Sequence, residues 1–302
     1  MATFRLPLTG KGEQVSLEHD AIIVATGAEE YEPQGEYLYG LNKNVLTQTE
    51  LEKHLAEEDT SFLDNREIFM MIQCVDVRNE DNSYCARLCC QQAIKNALII
   101  KEKKPQAQIF ILYRDIRTYG LSESAYTRAR ENGVVFIRYT ENEKPEVRET
   151  GAVLEIKVKD ATLDNELTLA SDMVILSTGI VPGKGNQEIS KLLKISLSKD
   201  GFFLERHLKL FPGECATPGI YICGLAHFPK TAGETITTAT ATSVNAFKIL
   251  CNEEIELEAK ASTIIEENCD VCAYCVEPCP NDTITLLEYI YLYISNFYKK
   301  KS

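Results

Sequence analysis

The chain is predicted to be an α/β protein built on doubly wound parallel sheets, with a small cysteine-rich α+β module after them. Three observations carry that prediction. An apolar run ending in a Thr-Gly turn occurs twice, as AIIVATG (21–27) and MVILSTG (173–179). Between the two, apolar strand-like segments alternate with helical ones. Near the C-terminus four cysteines fall in the spacing Cys269-x2-Cys272-x2-Cys275-x3-Cys279, followed directly by Pro280.

Composition narrows the class. Of 302 residues, 44% are hydrophobic and 25% charged, which excludes disordered and fibrous classes. Asp and Glu outnumber Lys and Arg by 45 to 32, a net charge of −13 that disfavours nucleic acid and anionic membranes as partners. The N-terminal MATFRLPLTGKGEQ lacks the positive-then-apolar profile of a signal peptide. No window reaches the roughly 18 apolar residues of a spanning helix, so a cytoplasmic location is expected. In a reducing cytosol the cysteine groups at 74–90 and 269–279 point to metal ligands rather than disulfides, with Cys215, Cys223 and Cys251 scattered between them.

The elements follow in order. Ala21 to Val24 is a strand turned by Ala25-Thr26-Gly27, in a first segment expected to cover 1–60. A βαβ series occupies 61–170: strand Ile68 to Ile72, helix Tyr84 to Glu102, strand Ile109 to Tyr113, helix Ser122 to Asn132 and strand Val134 to Tyr139. VLEIKVKDATLDNELTLASDMVIL alternates apolar and polar residues around Asp-Ala and Asp-Asn turns, a meander leading into the second Thr-Gly strand. A return segment is expected over 171–255, with strand Gly219 to Cys223 and helix Thr235 to Leu250. The acidic stretch EEIELEAKA (253–261) then links to a module expected over 256–302.

Each cysteine group has its own chemistry. Two-residue spacings at Cys269, Cys272 and Cys275 let three thiolates wrap one cubane, and a following Cys-Pro commonly sends its sulfur to a neighbouring cluster. A zinc site more often separates two CxxC pairs by a longer loop. Cys74 falls at the carboxyl end of a strand, with Cys85, Cys89 and Cys90 on the first turns of the next helix and Cys85 and Cys89 on one face. A helix N-terminus favours thiolates and their cluster as it would favour phosphate. Zinc, or a set of buried small hydrophobes, are the other readings of this group. In GIYICGLAHFPKT, a glycine loop at Gly224 leaves a strand, and His227 and Lys230 are the polar groups best placed to meet a cofactor; a solvated role is the plainer alternative. No GxGxxG, Walker loop or Ser/His/Asp triad occurs.

The motifs AIIVATGAEEYEP, QCVDVRNEDNSYCARLCCQQAIKNAL, ILYRDIRTYG, LSTGIVPGKGN, DGFFLERHLKLFP, GIYICGLAHFPKT and the CxxCxxCxxxCP run resemble, in the family's order over about residues 15–285, the A subunit of heterodisulfide reductase. The resemblance implies thioredoxin-reductase-like doubly wound domains that bind FAD, with a C-terminal ferredoxin-like module. Carried over to this sequence, Cys74, Cys85, Cys89 and Cys90 would hold one 4Fe-4S cluster, and Cys269, Cys272, Cys275 and Cys279 another. Thr26, Gly27, Thr178, Gly179, Gly224, His227 and Lys230 would meet the flavin. Leu225 stands where many flavoproteins carry an acid, in keeping with the GLAH of this family. The family's glycine-rich FAD loop and second ferredoxin motif have no counterpart, so the chain is expected to correspond to part of the family's polypeptide. The implied role is electron transfer beside other subunits of the complex or a hydrogenase- or ferredoxin-type partner. A metal-binding scaffold that docks onto a separate FAD-carrying polypeptide is the alternative.

Overall fold

The computed structural model describes residues 2–7, 14–57, 60–151, 153–252, 263–276, 279, 284–286 and 292–294. The chain divides into two compact units: Met1–Gly27, Pro182–Phe228 and Ala232–Ser302 form the first, Ala28–Val181 and Pro229–Thr231 the second.

In chain order, β1 (Ala2–Pro7) and β2 (Gln14–His19) pair antiparallel. β3 (Ile22–Val24) and β4 (Ala28–Glu30) flank the first Thr-Gly turn. β5 (Val45–Thr47) runs straight into α1 (Gln48–Ala56). There the Thr47 hydroxyl accepts from the Glu50 N–H while the Glu50 carboxylate accepts from the Thr47 N–H, a reciprocal cap that fixes the start of the helix. β6 (Ile68–Val75), α2 (Cys89–Lys103), β7 (Gln108–Tyr113), α3 (Glu123–Glu131) and β8 (Val135–Arg138) are the alternating series. The meander is β9 (Glu146–Thr150), β10 (Val153–Asp160) and β11 (Asn165–Ser171), before β12 (Met173–Thr178) and β13 (Ile180–Pro182). α4 (Asn186–Leu193), β14 (Ile220–Ile222), α5 (Ala232–Leu250) and an antiparallel pair, β15 (Ile284–Leu286) and β16 (Leu292–Ile294), complete the described elements.

The second unit is organised by a five-stranded parallel sheet in the order β5-β12-β6-β7-β8. Its central strand explains why IFMMI is apolar throughout: a strand covered on both faces has no solvent side. Phe69 and Met71 point to one face, where Ala93, Ile94, Ala97 and Ile100 of α2 cover them. Met70 and Ile72 point to the other, against Leu154, Ile156 and Val158 of β10. Strand period and helix period thus meet across two cores, each large side chain contributing about 1.5–3 kcal/mol of burial. The segment 28–57, β5 and α1 included, packs with this unit.

The helix expected from Tyr84 begins only at Cys89. The residues before it are captured by local polar bonds: the Asp76 carboxylate accepts from the Asn79 and Asn82 amides, and the Asn82 N–H donates to Asn79 Oδ1 at 2.6 Å. Such side-chain bonds compete with helical ones. At the other end α5 starts earlier than expected, at Ala232.

In the first unit β3 and β14 lie parallel, Val24 opposite Ile222, over a core of Leu193, Ile195, Phe203 and Ala226. Among the described residues no helix is long and apolar enough to cross a membrane. The acidic linker and much of the expected ferredoxin-like module, including residues 277, 278 and 280–283, lie outside the described residues.

Phe69 is fully buried in the helix-side core. Phe69→Ala is therefore expected to destabilise the chain by about 3–5 kcal/mol in urea unfolding followed by circular dichroism. A loss below about 1 kcal/mol would contradict the packing described.

Candidate functional site

The carboxyl end of β6 is the most constrained place in the second unit. Cys74, Asp76, Arg78 and Arg87 all take left-handed backbone, with φ of 62°, 56°, 60° and 64°. Each such non-glycine residue costs of order 1–3 kcal/mol and persists only where its surroundings hold it. Here the hold is visible. The Arg78 N–H donates to the carbonyls of Asn82 and Tyr84, at 2.6 and 3.1 Å. The Tyr84 hydroxyl donates to the Ile180 carbonyl at 2.8 Å, and Arg87 Nη1 to that of Pro229 at 3.3 Å. From the end of β7, the Arg114 guanidinium donates through Nη1 to the Arg78 carbonyl at 2.7 Å and through Nη2 to the Val77 carbonyl. An ion pair of Nη1 with the Glu141 carboxylate at 3.0 Å also fixes this guanidinium.

This loop brings the first cysteine group to one end of one sheet. Cys74 is inside the last residues of β6, and Cys89 and Cys90 open α2. Cys85 is not on the helix, so the expected shared helical face with Cys89 does not form; its sulfur instead accepts from the Arg87 N–H at 3.3 Å, within the loop. Burial pushes the Cys74 thiol up in pKa, while Arg114 and Arg78 pull against it. Cys89 is raised well above its ordinary value, first by its hydrogen bond with Cys90, then by burial and the nearness of Cys90, Cys74 and Cys85. The partner in that bond, Cys90, is pulled down to about 7 by Cys89 and then by Arg117 and Arg78, against its own burial. Among the described residues no three Cys, His, Asp or Glu side chains are drawn together closely enough to hold a metal ion.

Beneath the loop lies a polar layer with almost no solvent contact. Ser177 Oγ accepts from Gln73 Nε2 at 2.7 Å and from Gln48 Nε2 at 3.1 Å, and Asn96 Nδ2 donates to Gln48 Oε1 at 2.8 Å. The Tyr139 hydroxyl donates to the Gln73 carbonyl. These bonds tie β6, β12, α1 and α2 together one residue away from Cys74. Buried polar networks of this kind fix geometry more than they add stability.

The second Thr-Gly turn faces the same loop. The Thr178 hydroxyl donates to Glu30 Oε1 at 2.6 Å. A Cβ on Gly179 would stand 2.5 Å from Val77 Cγ1 and 3.3 Å from the Asp76 carbonyl. The backbone that approaches Gly179 is therefore the chain's own. Lys230 belongs to the same unit and is buried. In the first unit, Thr26 and Gly27 leave β3 beside Gly224, which leaves β14, because the Cys223 N–H donates to the Val24 carbonyl at 3.1 Å. Gly27 and Gly224 are left-handed, and a Cβ on Gly27 would meet open space. His227 Nε2 is 3.7 Å from the buried Glu205 carboxylate. Around the second cysteine group, Val271 and Ala273 are left-handed between the cysteines, and the Cys272 N–H donates to Asp270 Oδ1 at 3.3 Å.

No family model matches the chain. It is 33% identical over 92% of its length to the A subunit of the ferredoxin:CoB-CoM heterodisulfide reductase of Methanosarcina acetivorans. It is 34% identical over 92% to the iron-sulfur A subunit of the CoB-CoM heterodisulfide reductase of Methanocaldococcus jannaschii, and 36% identical over 91% to the second such A subunit of Methanopyrus kandleri. The chain belongs to the family of heterodisulfide reductase A subunits. It spans 39% of the first of these relatives and 44% of the other two. Among solved structures, this member of the heterodisulfide reductase family is similar to the thioredoxin reductase of T. acidophilum, at 14% identity and a TM-score of 0.51 over 78% of this chain and 68% of that one. The thioredoxin reductase of Lactococcus lactis gives 18% and 0.52 over 80% and 69%. The fold is thus thioredoxin-reductase-like, as the motifs imply.

Arg78, Arg114, Arg117 and Tyr139 carry no reading from sequence alone. Arg114 had a detectable signal: it follows the apolar run of β7 at the level where Cys74 follows that of β6, two residues beyond the paired Ile72 and Leu112.

Gly179→Ala should lower thermal stability by about 1–3 kcal/mol through overpacking against Val77. Gly185→Ala, where a Cβ meets nothing within 4 Å, should stay within about 0.5 kcal/mol of the parent. Equal melting of the two variants would refute the close approach.

Proposed function

We propose that this chain is the electron-transfer part of an iron-sulfur flavoprotein in a heterodisulfide-reductase-like complex, exchanging electrons between FAD and 4Fe-4S clusters. The observation that carries the reading is the placement of Cys74, Cys85, Cys89 and Cys90 on the strand end, loop and helix start at the carboxyl end of a parallel sheet, the place where doubly wound sheets bind their ligands. The donor chemistry fits. Soft thiolates suit iron-sulfur clusters, and the surrounding guanidiniums supply the positive charge that such an anionic group needs. Cys74, Cys85, Cys89 and Cys90 would hold one cluster, and Cys269, Cys272, Cys275 and Cys279 a second.

FAD, when bound, supplies one- and two-electron exchange. The chain's part is to bind and orient it. Thr26, Gly27 and Gly224 stand at the carboxyl ends of neighbouring parallel strands, with left-handed glycines that admit close approach. His227, beside Glu205, offers a fixed polar edge in the same unit. Thr178 and Gly179 lie with the cysteine loop, and the buried cation of Lys230 would stabilise a reduced, anionic flavin. The chain would act as an oxidoreductase on a sulfur-group acceptor only within a complex, alongside other subunits or a hydrogenase- or ferredoxin-type partner.

Anaerobic purification tests the proposal. The chain should be brown, reducible and paramagnetic when reduced. Cys89→Ser should remove about four irons while the signal of the C-terminal cluster remains. A colourless parent chain holding zinc, or unchanged iron in the variant, would count against it.

A further inference from the structure

We infer that Arg114 and Arg78 are positioning residues that aim guanidinium N–H groups at the cysteine pocket of Cys74, Cys85, Cys89 and Cys90 and so raise the reduction potential of the cluster held there. The inference rests on the cluster proposed above and adds residues outside its ligand set.

The observation is a pair of unspent donors. The Arg114 side chain is 8% exposed, and its Nε is buried with no hydrogen-bond partner. Arg78 Nη1 is buried and unpartnered as well. A buried N–H without an acceptor is unfavourable, and native structures rarely leave one. Neither group can turn away to find another acceptor. Arg114 is held through both Nη atoms by the Val77 and Arg78 carbonyls and by Glu141, and Arg78 is held through Nη2 by Asp115 at 2.7 Å. Both arginines stand beside Cys74, whose thiol feels them directly.

Charge balance points the same way. Arg78, Arg117 and Arg138 all lean on Asp115, the last two at 4.0 Å, while Arg114 leans on Glu141. Of these, Arg78 and Arg114 act on the Cys74 thiol and Arg78 and Arg117 on that of Cys90, while Asp76 spends its carboxylate on the Asn79 and Asn82 amides. A thiolate-ligated cluster is an anion in both oxidation states, and its charge grows by one on reduction. Fixed cations and N–H donors at the sulfurs favour the more negative form, as hydrogen bonds to cluster sulfur do generally. The electron comes from the external reductant, no bond is made or broken, and the arginines keep their protons throughout.

A structural role alone would be to strap the loop, since Arg114 bonds two of its carbonyls. Redox titration of the full, anaerobically reconstituted chain, followed by electron paramagnetic resonance, separates the two roles. Arg114→Met and Arg78→Met are expected to keep parent iron content and to disfavour reduction of the cluster that Cys89→Ser removes. The expected change is about tenfold in the equilibrium constant, or about 59 mV for one electron, with the C-terminal cluster unmoved. Arg114→Lys, which keeps the charge and loses the fork, should shift it less. Parent-like potentials at parent iron content overturn the inference and leave the cluster standing. If Arg114→Met loses iron, Arg78→Met decides, because it leaves the bonds of Arg114 to the loop in place; an unshifted potential there overturns the inference. Loss of iron in both overturns it in favour of a role in assembly. If Cys89→Ser leaves iron unchanged, the proposed cluster fails, and the inference with it.

Discussion

Burial of β6 on both faces is the constraint from which the rest of the second unit follows. A strand with a core on each side cannot slip by one residue without exchanging Phe69 and Met71 for Met70 and Ile72, whose shapes answer to different partners. Its register against β12 is regular up to the Ile72–Leu176 pair and resumes after a bulge at Val75–Thr178, so Gln73 and Cys74 are anchored on both sides. Cys74 inherits that precision. So does Arg114, which leaves β7 at the same level because Ile72 is paired with Leu112. A thiol and a guanidinium on two separate segments are brought together by backbone ladders.

The loop beyond this point replaces one kind of close approach by another. A phosphate loop uses glycine so that backbone can come near a pyrophosphate. Here the glycine is on the opposite strand end, at Gly179, and what comes near it is the backbone of Val75 and Asp76 and the side chain of Val77. The left-handed residues Cys74, Asp76 and Arg78 let the chain fold down against that glycine, and polar side chains at Asp76, Asn79 and Asn82 hold it there. The approach to Gly179 is thus filled by the protein's own turn.

Most of the fold was legible because its strands are apolar runs and its meander alternates. The three strands of the series, the meander and the paired Thr-Gly turns all follow from period and turn chemistry. Three things were not. α2 starts five residues later than its pattern suggests, because the bonds among Asp76, Asn79 and Asn82 that fix the turn before it leave the helical propensity of the stretch unchanged. The separation of Cys85 from Cys89 follows from that shift. The arginines stand out less, because the signal of Arg114 lies in strand register and single arginines after a strand are common. The residues that sequence did single out, the cysteines of QCVDVRNEDNSYCARLCCQQ, were marked by their density, a signal that needs no three-dimensional context.

The distribution of strain and support suggests how the site is prepared. The left-handed residues of the loop carry a cost that Arg114, Tyr84 and the Asp76 carboxylate offset through their bonds to the backbone and side chains around them. A loop already held in shape loses little further freedom when it takes up a cofactor, so more of the binding energy appears as affinity. The polar layer of Gln48, Gln73, Ser177 and Asn96 acts in the same direction from below, since each amide is fixed by another element of the sheet or helices. Ladder register above, a bonded layer beneath and a strapped loop between them hold the first cysteine group at one end of the sheet.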